Sequence, residues 1–171
     1  MKRMILFILL WFSISSQIIL SQSNNWIRYC VGNTGLPDLA VHDLIQNSNG
    51  HYLIATQSGL AEFDGQIWTV YDTSNTDLTR LDVLNVAVTA DNIIWIATSQ
   101  SISGPIYPYF ASFNGTQWSI YTDEDENILS SSISKILVGN SERVWFSTAN
   151  GLLMYDGTFH SYKPSGDLWG P

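Results

Sequence analysis

Few residues of this chain offer reactive chemistry. Its 171 residues hold 3 histidines, 1 cysteine, and 15 aspartates and glutamates against 7 lysines and arginines. His42, His51 and His160 stand at unrelated points, and no two share the His-x-x-x-His spacing that places both imidazoles on one metal. Cys30 stands alone, so neither an intrachain disulfide framework nor a Cys-rich zinc site can form; it reads as a small buried hydrophobe. Asp123-Glu124-Asp125-Glu126 gathers carboxylate oxygens of the kind a hard cation takes, which makes Asp123 and Asp125 weak candidates for calcium. The run lacks the alternating ligands, central Gly and final Glu of the twelve-residue calcium loop, and a solvated acidic turn is the simpler reading. Gly-x-Ser-x-Gly, Gly-x-x-x-x-Gly-Lys and Gly-x-Gly-x-x-Gly are all absent. A Ser–His–Asp group assembles in space and leaves no spacing to read. No catalytic constellation is legible, no cofactor is implied, and the expectation is a non-catalytic protein.

The elements that would position any site come from a repeat. Phe63-Asp64-Gly65, Phe113-Asn114-Gly115 and Tyr155-Asp156-Gly157 follow one another at intervals of 50 and 42 residues. Ile54-Ala55-Thr56, Ile96-Ala97-Thr98 and Phe146-Ser147-Thr148 do so at 42 and 50. A third set ends on Tyr29, Tyr71, Tyr121 and Tyr162, led by Trp26, Trp68, Trp118 and Phe159. Three markers with one period of about 42 residues match the length of a propeller blade. Each unit contains four runs rich in β-branched and aromatic residues: in the first, Val41–Gln46, Tyr52–Thr56, Leu60–Phe63 and Ile67–Tyr71. We call these positions a, b, c and d. Asn49-Gly50, Asp64-Gly65, Asn114-Gly115 and Asp156-Gly157 supply the positive φ angles that tight hairpins need.

The expected fold is all-β: a partial β-propeller of three four-stranded antiparallel blades plus one isolated outer strand, Trp26–Tyr29. The divisions are 24–37 for that strand and a linker, 38–79, 80–129 and 130–163 for the blades, and 164–171 for the start of another linker or a truncated end. Trp68, Trp95, Trp118 and Trp145 are expected to fill the spaces between blades. Three blades fall short of the four to eight that close a ring. Further blades, with the lone strand as the outer strand of the last one, are therefore the expected complement.

These motifs resemble the two-component regulator propeller repeats. Asn33-Thr34-Gly35-Leu36-Pro37 resembles the family's linker, and Tyr52-Leu53-Ile54-Ala55-Thr56 its second strand. Gly59-Leu60 with Phe63-Asp64-Gly65, and Gly151-Leu152 with Tyr155-Asp156-Gly157, resemble its third. The usual Ile-Gly-Thr is here Ile-Ala-Thr or Phe-Ser-Thr, and the second linker, Asn75-Thr76-Asp77-Leu78, lacks the proline. The resemblance implies an extracytoplasmic sensing or binding propeller, in many members the input half of a membrane histidine kinase, often in carbohydrate-responsive systems.

In such a fold the a–b and c–d turns share one rim and the d–a and b–c loops the other. The second unit carries eight extra residues in its b–c loop, around 99–109. Two prolines stiffen it, and Tyr107, Tyr109 and Phe110 are the residues that would stack on a sugar ring or peptide. The alternative is a long hairpin whose aromatics pack on the neighbouring blade, the commoner outcome for apolar loop residues. Asp43, Asn85 and Lys135 occupy one repeat position on the a strands, beside the central channel. Varied polar residues there suit ligand contact, or simply a solvated wall.

The start of the chain is an address. Lys2 and Arg3 precede the apolar run Met4–Phe12, a Ser-rich stretch follows, and Ser21 or Ser23 suits cleavage. Residues 1–23 are expected to leave as a signal peptide. Ser13, Ser15 and Ser16 interrupt the run before the roughly 20 residues a membrane span needs, so no membrane insertion is expected after cleavage. The formal charge of −8 excludes a basic nucleic-acid binder. The expectation is an exported sensing or binding module, periplasmic or at the cell surface. A kinase or other output region is its expected partner. Two alternatives stand beside it: an adhesion module of a secreted surface protein, and a propeller lyase or hydrolase resembling virginiamycin B lyase.

Overall fold

A computed structural model describes residues 27–78, 82–99, 109–122, 125, 128 and 132–163. Residues 1–26, where the signal peptide was expected, and Tyr107 and Asp123 lie outside them. The described residues form twelve strands and no helix. Blade 1 comprises β1 (Val41–Gln46), β2 (Tyr52–Thr56), β3 (Gly59–Phe63) and β4 (Trp68–Tyr71). Blade 2 comprises β5 (Val83–Val88), β6 (Ile94–Thr98), β7 (Tyr109–Phe113) and β8 (Trp118–Tyr121). Blade 3 comprises β9 (Ile133–Val138), β10 (Val144–Thr148), β11 (Gly151–Tyr155) and β12 (Phe159–Tyr162). Each blade is an antiparallel meander with strands in chain order, and the inner strands β1, β5 and β9 lie side by side.

The turns follow from their residues. Gly65, Gly115 and Gly157 take φ of 99°, 92° and 109° in the c–d turns, where a Cβ would be strained. Each turn is held by its first side chain: the Asp64 carboxylate accepts from the amides of Gln66 and Ile67, and Asn114 Oδ1 from those of Thr116 and Gln117. Ile67 is spent on this turn, which is why β4 begins at Trp68 rather than one residue earlier. The threonines that close β2 and β10 have a similar task. Thr56 Oγ1 donates to the Gly59 carbonyl at 2.7 Å and Thr148 Oγ1 to that of Gly151 at 2.8 Å, bracing the b–c hairpin.

The core lies between blades. Leu53 and Leu60 of blade 1 pack against Val86, Ile94 and Ile96 of blade 2, with Leu78 of the linker closing the interface. Trp95 and Phe110 of blade 2 pack against Ile136, Val144, Phe146 and Leu153 of blade 3, with Ile128 in the linker's place. Both faces of blade 2 are thus buried, so its strands are apolar on both sides rather than alternating. Trp95 and Trp118 fill these interfaces as expected. Trp68 and Trp145 lie on the outer flanks of the arc, Trp68 against Leu36, Ile54 and Ala61 and Trp145 stacked on Tyr162.

Candidate functional site

Each inner strand carries an irregularity in its pairing at the position before Asp43, Asn85 or Lys135. A bulge there re-aims the next side chain, and all three reach past their own blade. The Asp43 carboxylate accepts the Val86 amide of blade 2 at 3.3 Å and the Lys135 ammonium of blade 3 at 2.8 Å. Asn85 Nδ2 donates to the Ser134 carbonyl of blade 3 at 3.3 Å. Asp43 and Lys135, 92 residues apart, are therefore brought into direct contact. Beside them a cleft of about 260 Å³ opens between the three inner strands, apolar along Val86, Ile136 and Val138 and charged at the Asp43–Lys135 end.

His42 makes a further polar contact from blade 1 to blade 2. Its Nε2 lies 3.0 Å from Asp82, ahead of β5. Sequence spacing gave no reason to join these two residues. The signal was available in the repeat: His42 fills the bulge position, and Asp82 stands one residue before the next inner strand.

The remaining sequence candidates fare differently. Phe110 is a correction. It is not a loop residue open to a ligand but sits on β7 at 1% exposure, stacked on Tyr121 at 5.3 Å and packed on Phe146 at 4.8 Å. Counted back from the Phe113-Asn114-Gly115 marker, it holds the same place as Leu60, a core position. Tyr109 opens β7, paired with Thr98. Asp125 caps a turn: its carboxylate accepts the Thr122 amide at 2.6 Å, as Asn75 accepts that of Asp72 and Asn33 that of Cys30. Among the described residues no three His, Cys, Asp or Glu side chains converge as a metal site.

A second polar group lies toward the outer edge of blade 1. His51 Nδ1 meets Glu62 at 2.7 Å, and the Tyr71 hydroxyl donates to the other Glu62 oxygen at 2.9 Å. Burial, and then the Glu62 carboxylate, push the Tyr71 phenol well above its ordinary value. Blade 2 makes the same tie with neutral groups, Ser112 to Tyr121 at 3.2 Å, so this contact holds β3 to the strand beyond it.

No protein-family model and no curated protein matches the chain. Solved structures do. The extracellular domain assigned to the hybrid two-component system BT3049 of B. thetaiotaomicron superposes with a TM-score of 0.65 at 17% identity, covering 81% of this chain and 19% of that one. That of the hybrid system BT4673 gives 0.61 at 16%, covering 85% and 19%. This chain has their fold. It is a partial β-propeller, and it spans about a fifth of the length of each.

Proposed function

We propose that this chain forms part of the extracytoplasmic, non-catalytic sensing region of a two-component system, exported by its N-terminal segment, and that a small saccharide is sensed at the inner-strand mouth. The observation that carries the proposal is the convergence of Asp43 and Lys135, from one repeat position in the first and third blades, onto a single cleft, with Asn85 at the same position tying blade 2 to blade 3. A carboxylate and an ammonium supply an acceptor and a donor of the kind sugar hydroxyls need, and rigid strands hold them in place. The likeness in fold to extracellular sensor domains supports the same reading. The acidic surface, at −8 for the whole chain, suits a neutral ligand better than a polyanion.

The test is calorimetric titration of the purified extracytoplasmic region against a panel of neutral oligosaccharides, with Lys135→Met and Asp43→Asn beside the parent. One panel member is expected to bind, and each substitution to weaken it about tenfold, the loss of one hydrogen bond to a charged group. Binding that both variants leave unchanged would place the ligand elsewhere, and a panel with no binder would remove the sensing assignment.

A further inference from the structure

An asparagine followed by glycine can react with its own backbone. The glycine nitrogen, unshielded by a Cβ, attacks the side-chain amide carbon and closes a five-membered ring, a step helped by the proximity of the two groups. The chain holds three such pairs, Asn49-Gly50, Asn114-Gly115 and Asn150-Gly151. The fold treats them differently. The Gly50 amide donates to the Asn47 carbonyl at 3.0 Å, and attack would cost that bond. Gly151 opens β11, paired with Thr148, and lies so close to β12 that a Cβ on it would collide with the Tyr162 carbonyl. Ring closure there would pull a ladder residue out of its sheet.

Asn114-Gly115 has neither restraint. Both residues are exposed in the c–d turn of blade 2, and nothing lies within 4 Å of where a Gly115 Cβ would stand. The Gly115 amide donates to no group among the described residues. The electrophile is also prepared. Asn114 Oδ1 accepts from the Thr116 amide at 3.0 Å, the Gln117 amide at 2.9 Å and the Thr116 hydroxyl at 2.9 Å. Three donors on one oxygen polarise the carbonyl at Cγ and stabilise the negative charge that gathers on Oδ1 as the nitrogen attacks.

We propose that Asn114 is a site of self-modification, converted to aspartate through a cyclic imide with Gly115. The Gly115 nitrogen gives its proton to hydroxide and forms a bond to Asn114 Cγ. The Cγ–Nδ2 bond breaks, and that nitrogen leaves as ammonia with a proton from water. A second water then opens the imide. Addition at Cγ, on the side the turn donors face, returns a residue with a normal main chain and a carboxylate. Addition at the backbone carbonyl instead lengthens the main chain by one carbon, which a two-residue turn does not accommodate. The carboxylate product is the residue that the repeat already uses here: Asp64 and Asp156 hold the same position in blades 1 and 3, and Asp64 accepts the equivalent two amides at 2.7 Å. The conversion adds one negative charge to the turn and leaves its hydrogen bonds in place. The proposal is independent of what the module senses.

The test uses the full chain and its two other Asn-Gly pairs as internal controls. The folded protein and a sample in denaturant are incubated in mildly alkaline buffer, and peptide mass spectrometry follows the amide-to-acid change at Asn49, Asn114 and Asn150. The peptide from an Asn114→Asp variant serves as the standard for the normally linked product. In the folded protein Asn114 is expected to convert at least about tenfold faster than either other site, the equivalent of one backbone hydrogen bond to be broken there, and to give mainly the normally linked aspartate. In denaturant the three rates are expected to converge. Conversion of Asn114 no faster than the others in the folded protein, a preference for Asn114 that persists in denaturant, or a mainly lengthened main chain as the product would overturn the proposal.

Discussion

Asp64 and Asp156 hold their turns through charge. Two backbone amides bonded to Asp64, and the His160 imidazole bonded to Asp156, keep both carboxyls below the ordinary Asp value of 3.8. Asp72 is lowered likewise, by the Ser74 hydroxyl and amide. A carboxyl whose folded pKa is depressed contributes stability above its unfolded pKa and loses it as the pH falls through the folded one. Tyr71 and Tyr155 act at the other end. Burial raises both above 10.0, so their contribution is complete below about pH 10 and fades as the unfolded chain ionises above it. The unfolding midpoint is therefore expected to be flat from about pH 5 to 9 and to fall on either side. Asp64→Asn should soften the acid fall, since Asn114 makes the same two amide bonds in blade 2 without a titrating group. Tyr71→Phe should soften the alkaline one. Thermal unfolding monitored across pH checks both, and unchanged profiles would remove these groups from the account.

At the scale of the element, a residue's cost depends on which interface its strand faces. Phe110 and Leu152 hold the same repeat position on β7 and β11, at 1% and 46% exposure. Phe110→Ala empties a packed interface and is expected to cost about 3–5 kcal/mol. Leu152→Ala removes a half-exposed side chain and should cost under about 1 kcal/mol. Denaturant titration of the two variants measures the difference, and equal losses would mean that the flank of blade 3 is covered or the middle interface is not. The strands themselves were legible, because hydrophobic runs of four to six residues stood between Asn-Gly and Asp-Gly turns. What was not legible was direction across the sheet. Phe110 follows an insertion with two prolines, and local composition placed it on the loop; only counting back from the next marker returns it to the core. The Asp43–Lys135 contact was half legible: the repeat aligned the residues, but a bulge was needed to aim them at each other.

For the whole molecule the controlling fact is an arc with two unlike apolar flanks. Val41, Leu44 and Tyr52 stand open on one flank, Leu137, Leu152 and Tyr162 on the other. Patches of this kind mark surfaces suited to contact with a partner. They were predictable once three units were counted, because interior repeats of a propeller hide the same positions that its ends expose. The side chains joining blades across the axis belong to this scale as well, since they fix each blade's angle to the next. The most direct measurement is a crystal structure of the protein. The account predicts three successive units that superpose strand for strand, with the Asp43 carboxylate bonded to the Val86 amide of the following blade and the Tyr29 ring seated on Phe63 and Trp68. Units that fail to superpose, or inner strands that do not share an axis, would contradict it.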